Sequence, residues 1–290
     1  MRRFILVLFA VIPSGCRVER LEPAAALPPP PPPGAVTLVV PEDSEIPRGP
    51  EGQSIRRGRA ILRFTGDSLP QYVGNGLSCT NCHLDSGTRP YAAPWVGVYG
   101  RFPQYRTRNA KLNVLGDRIN DCFERSLAGR GIPFDGPDMA DIIAYMAFLS
   151  RRIPNGAVME GQGFAQLTPL APDTAQGRRV FANRCVKCHA RDGQGTEDGP
   201  ALWGPKSYSI AAGMARVRTA AAFIYHNMPD DKPRTLTQQQ AFDVAAYVNS
   251  HPRPDFVGKE NDWPNGDHPP DVPYETRAAR AKADSARRGT

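Results

Sequence analysis

No apolar run in this chain is long enough to cross a bilayer. The run from Phe4 to Ile12 is nine residues, and a spanning helix needs roughly twenty. Lysine and arginine form no long run, and at 8% aromatic content no aromatic ladder alternates with them. No nucleic-acid partner is therefore expected. An acidic excess is missing as well: 36 basic against 29 acidic residues leave a formal charge of +7. That balance suits an anionic substrate or an acidic redox partner, and an ordinary solvated surface accounts for it equally.

Proline and glycine are plentiful, at 30 and 27 residues, more than helix packing alone requires. They point to long irregular stretches between helices. The start reads as an export signal over residues 1–26, with Arg2 and Arg3 ahead of the apolar run. Pro13-Ser14-Gly15-Cys16 resembles a bacterial lipobox, which makes 1–15 a lipoprotein signal and Cys16 the lipidated first residue. Cleavage after Ala24-Ala25-Ala26 and a retained anchor are the alternatives. Each places the folded part outside the cytoplasm, in the periplasm. Residues 27–53 follow as a linker with six consecutive prolines, Pro28 to Pro33, an extended spacer rather than core.

The remainder reads as two similar units. The first, 54–152, has a helix around Arg57 to Phe64, a long loop over Gly87 to Pro103, and helix again around Arg118 to Leu127. It closes on a helix from Asp138 to Ser150, where Ile142, Tyr145, Met146 and Leu149 share one face. Residues 153–171 form a Pro/Gly linker. The second unit, 172–252, opens with a helix around Ala175 to Asn183 and closes with Gln238 to Ser250. There Ala241, Val244, Ala245 and Val248 repeat the one-face spacing. Residues 253–290 read as a strap followed by a frayed end. The expected class is all-α, two cytochrome c-type units in tandem.

That expectation rests on two C-x-x-C-H motifs, Cys79-Thr80-Asn81-Cys82-His83 and Cys185-Val186-Lys187-Cys188-His189. Two thiols three positions apart attach a haem, and the adjacent histidine lies beneath its iron. Two covalently bound haems c are expected, and their propionates lower the net charge. A zinc site built from the four cysteines, or two local disulfides, is the competing reading. Counting 39 residues from His189 reaches Met228, in Asn227-Met228-Pro229. A thioether there gives His/Met iron, with the nearby His226 as rival. The same count from His83 reaches Cys122, a cysteine outside both motifs. A thiolate on iron stabilises the ferric state. The alternatives are a buried free thiol or a disulfide with Cys16, which lipidation or removal of Cys16 would exclude. Around it, Arg118, Cys122 and Ser126 are spaced to share one helix side, with Arg106 and Arg108 upstream. Guanidinium groups beside an iron-bound sulfur make a pocket for a small oxyanion; a solvated face is the plainer reading of that spacing.

Five stretches together resemble one family, the dihaem thiosulfate dehydrogenases. They are C-T-N-C-H-L-D-S-G-T-R-P (79–90), P-W-V-G-V-Y-G-R-F-P-Q-Y-R (94–106), R-I-N-D-C-F-E-R-S (118–126), N-M-P (227–229) and G-K-E-N-D-W-P (258–264). The resemblance implies His83/Cys122 ligation at an active-site haem and His189/Met228 at an electron-exit haem. It implies substrate contacts from Arg108 and Arg118 with Ser126 close by, and oxidation of two thiosulfates to tetrathionate. The electrons would leave to an external redox partner such as a small cytochrome c or an iron–sulfur protein. In the expected chemistry Cys122 leaves iron and carries the first thiosulfate as a mixed S–S adduct, which the second attacks. Some members place a lysine beside the methionine; Asn227 and Pro229 stand there in this chain. Two other readings stay open: an electron carrier without substrate, and a cytochrome that conjugates thiosulfate to a carrier protein's cysteine.

Overall fold

The computed structural model describes residues 34–288. The export segment 1–26, Cys16 and the prolines 28–33 lie outside the described residues. Seven longer helices organise the rest, and the described strands are limited to one short hairpin. The described residues form an all-α fold of two domains built on one plan.

In the first domain α1 (Pro50–Arg63) crosses the closing helix α3 (Pro137–Ser150). Pro50 and Pro137 each stand in the first helical turn, where a missing N–H breaks no hydrogen bond. The crossing is close because Gly58 has no side chain: a Cβ there would fall 1.9 Å from the Asp141 carbonyl oxygen. The Asp141 carboxylate turns back onto α1, accepting from Ser54 Oγ and from Arg57 at 2.7 and 3.0 Å. Ile55, Leu62, Phe123, Ile142 and Leu149 fill the space between, each contributing about 1.5–3 kcal/mol of burial.

The second domain repeats the device. There α4 (Thr174–Arg184) crosses α6 (Gln238–Asn249), and a Cβ on Gly177 would fall 2.0 Å from the Asp243 carbonyl oxygen. The Asp243 carboxylate accepts from the Asp173 N–H at 2.8 Å. Asp173 in turn caps α4, accepting from the N–H groups of Ala175 and Gln176. Phe181, Trp203, Val244 and Val248 form its core.

Four features depart from the sequence reading. Helix α1 begins at Pro50, inside the stretch read as linker, and Val36 within that stretch donates to Val158 O at 2.9 Å. A hairpin of β1 (Gln104–Arg106) and β2 (Lys111–Asn113) follows the long loop. An alanine-rich helix, α5 (Val217–Asn227), precedes Met228. The described part of the tail closes with a helix, α7 (Arg277–Arg288), in the stretch read as a frayed end. Between the domains, Asn75 Nδ2 donates to both Ser126 O and Ser207 O at 2.9 Å.

Candidate functional site

The first C-x-x-C-H is held by the end of α1. Thr65, fully buried, accepts from the Cys79 N–H at 3.1 Å through Oγ1, and its own N–H donates to Ser78 Oγ at 3.1 Å. His83 Nδ1 lies 2.6 Å from the Ala93 carbonyl oxygen. A carbonyl only accepts, so Nδ1 carries the proton and Nε2 keeps its lone pair. Burial lowers the His83 pKa to about 4, so the ring is neutral. The same desolvation pushes the Cys79 and Cys82 thiols up to about 12.

These groups line a cavity of about 210 Å³ whose other walls include Leu62, Val98, Phe123 and Met146. Two neutral thiols, a neutral imidazole with a free Nε2 and apolar walls suit a flat, apolar metal macrocycle better than a bare ion. The second domain carries the matching motif. His189 Nδ1 lies 2.8 Å from the Pro200 carbonyl oxygen, and burial raises the Cys185 thiol to about 12 and lowers His189. The five described cysteines are all free. Among the described residues no group of three or more His, Cys, Asp or Glu converges to hold an ion.

Cys122 faces the first cavity. It ends α2 (Leu115–Asp121), where the chain widens into a π turn from Cys122 to Ser126 closed by the Leu127 N–H to Cys122 O bond at 3.0 Å. Such turns recur at functional sites because they re-aim side chains within a helix. Arg118, Cys122 and Ser126 all line the cavity. Arg118 Nη1 donates to Cys122 Sγ at 2.8 Å, and the Cys122 charge raises the Arg118 pKa against its own burial.

Arg108 is placed differently: the cavity lining includes Arg101 and Arg106 but not Arg108. Burial lowers the pKa of Arg101 and of Arg106, and Arg106 also feels the Arg118 charge. Arg108 lies between the second domain and the tail. It donates to Ala211 O at 2.5 Å, stacks over the Trp263 ring at 4.6 Å and is 3.9 Å from Asp262. Burial, then repulsion from Arg125, brings its pKa down to about 10. Neither the place of Arg106 in the cavity wall nor the packing of the tail against Arg108 follows from the spacing around Cys122. The alternation along β1 is the signal for the first. Tail motif 258–264 is the signal for the second.

Met228 follows the last turn of α5, its N–H donating to Ile224 O at 2.9 Å. His226 is buried with its ring stacked on Tyr91 of the first domain at 4.1 Å, and its Nε2 has no partner. Burial lowers its pKa to about 4.

Two families match the chain: "SoxA/TsdA, cytochrome c domain" over residues 71–154, and "Cytochrome C oxidase, cbb3-type, subunit III" over residues 172–248. A thiosulfate dehydrogenase of Allochromatium vinosum is 47% identical over 232 residues, covering 76% of this chain and 86% of that protein. One from Psychrobacter arcticus is 42% identical over 246 residues, covering 82% and 75%. The solved thiosulfate dehydrogenase TsdBA of Marichromatium purpuratum, in its as-isolated form, superposes with a TM-score of 0.72 at 35% identity. That match covers 77% of this chain and 50% of the other. The two cytochrome c domains carry two covalently bound haems c. With this identity spread over three quarters of its length, the chain belongs to the thiosulfate dehydrogenase family.

Proposed function

We propose that this protein is a periplasmic enzyme that oxidises two thiosulfates to tetrathionate and passes two electrons to an external acceptor. A small cytochrome c or an iron–sulfur protein would serve as acceptor. The observation that carries the reading is the Arg118 guanidinium 2.8 Å from Cys122 Sγ, inside the cavity of the first C-x-x-C-H. An electron carrier has no use for a buried cation on that sulfur; a reaction between dianions does.

Cys79 and Cys82 would hold the first haem, with His83 and Cys122 offering donors to its iron. Cys185 and Cys188 would hold the second, with His189 and Met228. When bound, the haems supply two one-electron acceptors. The chain's own residues do the rest. The deprotonated Cys122 sulfur bonds to the outer sulfur of one thiosulfate with loss of two electrons, giving Cys–S–S–SO₃⁻. The outer sulfur of the second thiosulfate then attacks the outer sulfur of that adduct. The bond to Cys122 breaks, tetrathionate leaves, and the thiolate returns. Arg118 balances charge on the cysteine sulfur, Ser126 beside it in the cavity orients a bound sulfonate, and Arg108, outside the cavity lining, would meet the sulfonate that reaches out of it.

The test is tetrathionate formation from thiosulfate with ferricyanide as acceptor. Reduction of both haems by thiosulfate with no tetrathionate formed would refute the reading in favour of an electron carrier or a carrier-protein conjugase. Export and lipidation at Cys16 place the enzyme on a membrane face. Cys16→Ser should release activity into the soluble fraction, and unchanged fractionation would refute the anchor.

A further inference from the structure

The tail motif 258–264 has no place in the chemistry above, yet two of its residues are among the most buried polar and aromatic groups of the tail. Asp262 is 4% and Trp263 3% exposed. Asp262 receives both Arg125 Nη groups at 2.8 Å and the Tyr274 hydroxyl at 2.6 Å. Arg125 also holds Asp121, next to Cys122, at 2.9 Å. The carboxylate is therefore occupied at short range by Arg125 and Tyr274, and Arg108 stands off at 3.9 Å.

Trp263 supplies what Asp262 does not. Its N–H donates to the Arg108 carbonyl oxygen at 2.7 Å, and its ring lies under the Arg108 guanidinium at 4.6 Å. Its backbone is left-handed, at φ 51°, a conformation rarely adopted by bulky residues and often retained where function needs it. An indole face holds a guanidinium without using any of its N–H donors. Of the five donors on Arg108, one bond goes to the Ala211 carbonyl. The guanidinium is oriented from two sides by neutral groups, and its nearest carboxylate is already engaged.

We propose that Trp263 and Asp262 are positioning residues that make the tail part of the active site. Trp263 fixes the plane of Arg108, and Asp262, drawn to Arg125, leaves Arg108 under-neutralised and available to a sulfonate. This rests on reading Arg108 as a thiosulfate contact.

The test uses the haem-loaded enzyme with Trp263→Leu, Trp263→Phe and Arg108→Ala. Losing the ring face should raise the thiosulfate KM about tenfold in Trp263→Leu, with kcat and both haem spectra near wild type. Trp263→Phe, keeping a smaller face, should show a rise of about two- to fivefold. It carries the test alone if the leucine variant fails to load haem. Weaker tetrathionate binding to the oxidised Trp263 variants, measured calorimetrically, should follow the same order. A merely structural role would lower thermal stability or kcat without this split. Arg108→Ala raising KM while the Trp263 variants bind normally would overturn the inference alone. Wild-type enzyme that forms no tetrathionate, or Arg108→Ala with normal KM, would overturn the functional reading and this inference with it.

Discussion

Removing the Arg118 guanidinium tests the centre of the site. Among the described residues Arg118 is the one side chain that hydrogen-bonds the Cys122 sulfur, at 2.8 Å, and the Cys122 charge is the largest influence on the ionisation of Arg118. A hydrogen bond to a charged group contributes about 1.5–3 kcal/mol, and breaking a buried charge pair costs about 3–5 kcal/mol. The share realised only as the sulfur reacts lies within that span. At about 1.4 kcal/mol per tenfold, Arg118→Ala should lower kcat/KM for thiosulfate by roughly 30- to 1,000-fold. Arg118→Lys keeps a charge but loses the planar fork, so its loss should be smaller, on the order of tenfold. The potential of the first haem should fall in Arg118→Ala, because a donor that withdraws density from the cysteine sulfur is gone. The assay is initial-rate tetrathionate formation at matched haem content, with a redox titration alongside. A kcat/KM within about threefold of wild type, with an unchanged potential, would return Arg118 to a packing role.

Purified protein should retain the mass of two haems after acid denaturation, and a single haem or zinc in its place would refute the attachment at both motifs. Cys122→Met should fold and load haem, raise the first haem's potential because a neutral donor replaces an anionic one, and make almost no tetrathionate; near-wild-type synthesis would falsify the covalent role of Cys122. Gly58→Ala drives a methyl into the Asp141 carbonyl, which a Cβ would approach to 1.9 Å. It should lower stability by about 1–3 kcal/mol, read as a lower denaturant midpoint. Gly177→Ala should do the same in the second domain, and a neutral result at both would show that the helix pairs shift apart freely.

What the sequence made legible is what depends on local spacing. Two thiols and a histidine must stand at fixed separations to share one cofactor, and a closing helix must repeat apolar residues every three to four positions. The face of Ile142, Tyr145, Met146 and Leu149 is accordingly buried as read. Helix α5 carried a weaker signal, since its buried residues run almost unbroken from Ala220 to Asn227 and three of them are alanine, so no one-face stripe marks it. The hairpin was too short to register, and it decides which arginine enters the cavity. Along a strand successive side chains alternate sides. Gln104 and Arg106 therefore share the cavity wall, and Tyr105 between them is 53% exposed. Arg108 lies past the strand, in the turn, and its direction is settled by partners far away in sequence: Ala211, Asp262 and Trp263. A tandem count from each haem histidine could find Cys122 because the two domains share one plan. No such count could find Asp262, because the tail that carries it occurs once, and its bond to Arg125 spans 137 positions. Spacing thus encodes the two attachment motifs and the sulfur placed beside the first, and long-range packing orients the cations around them.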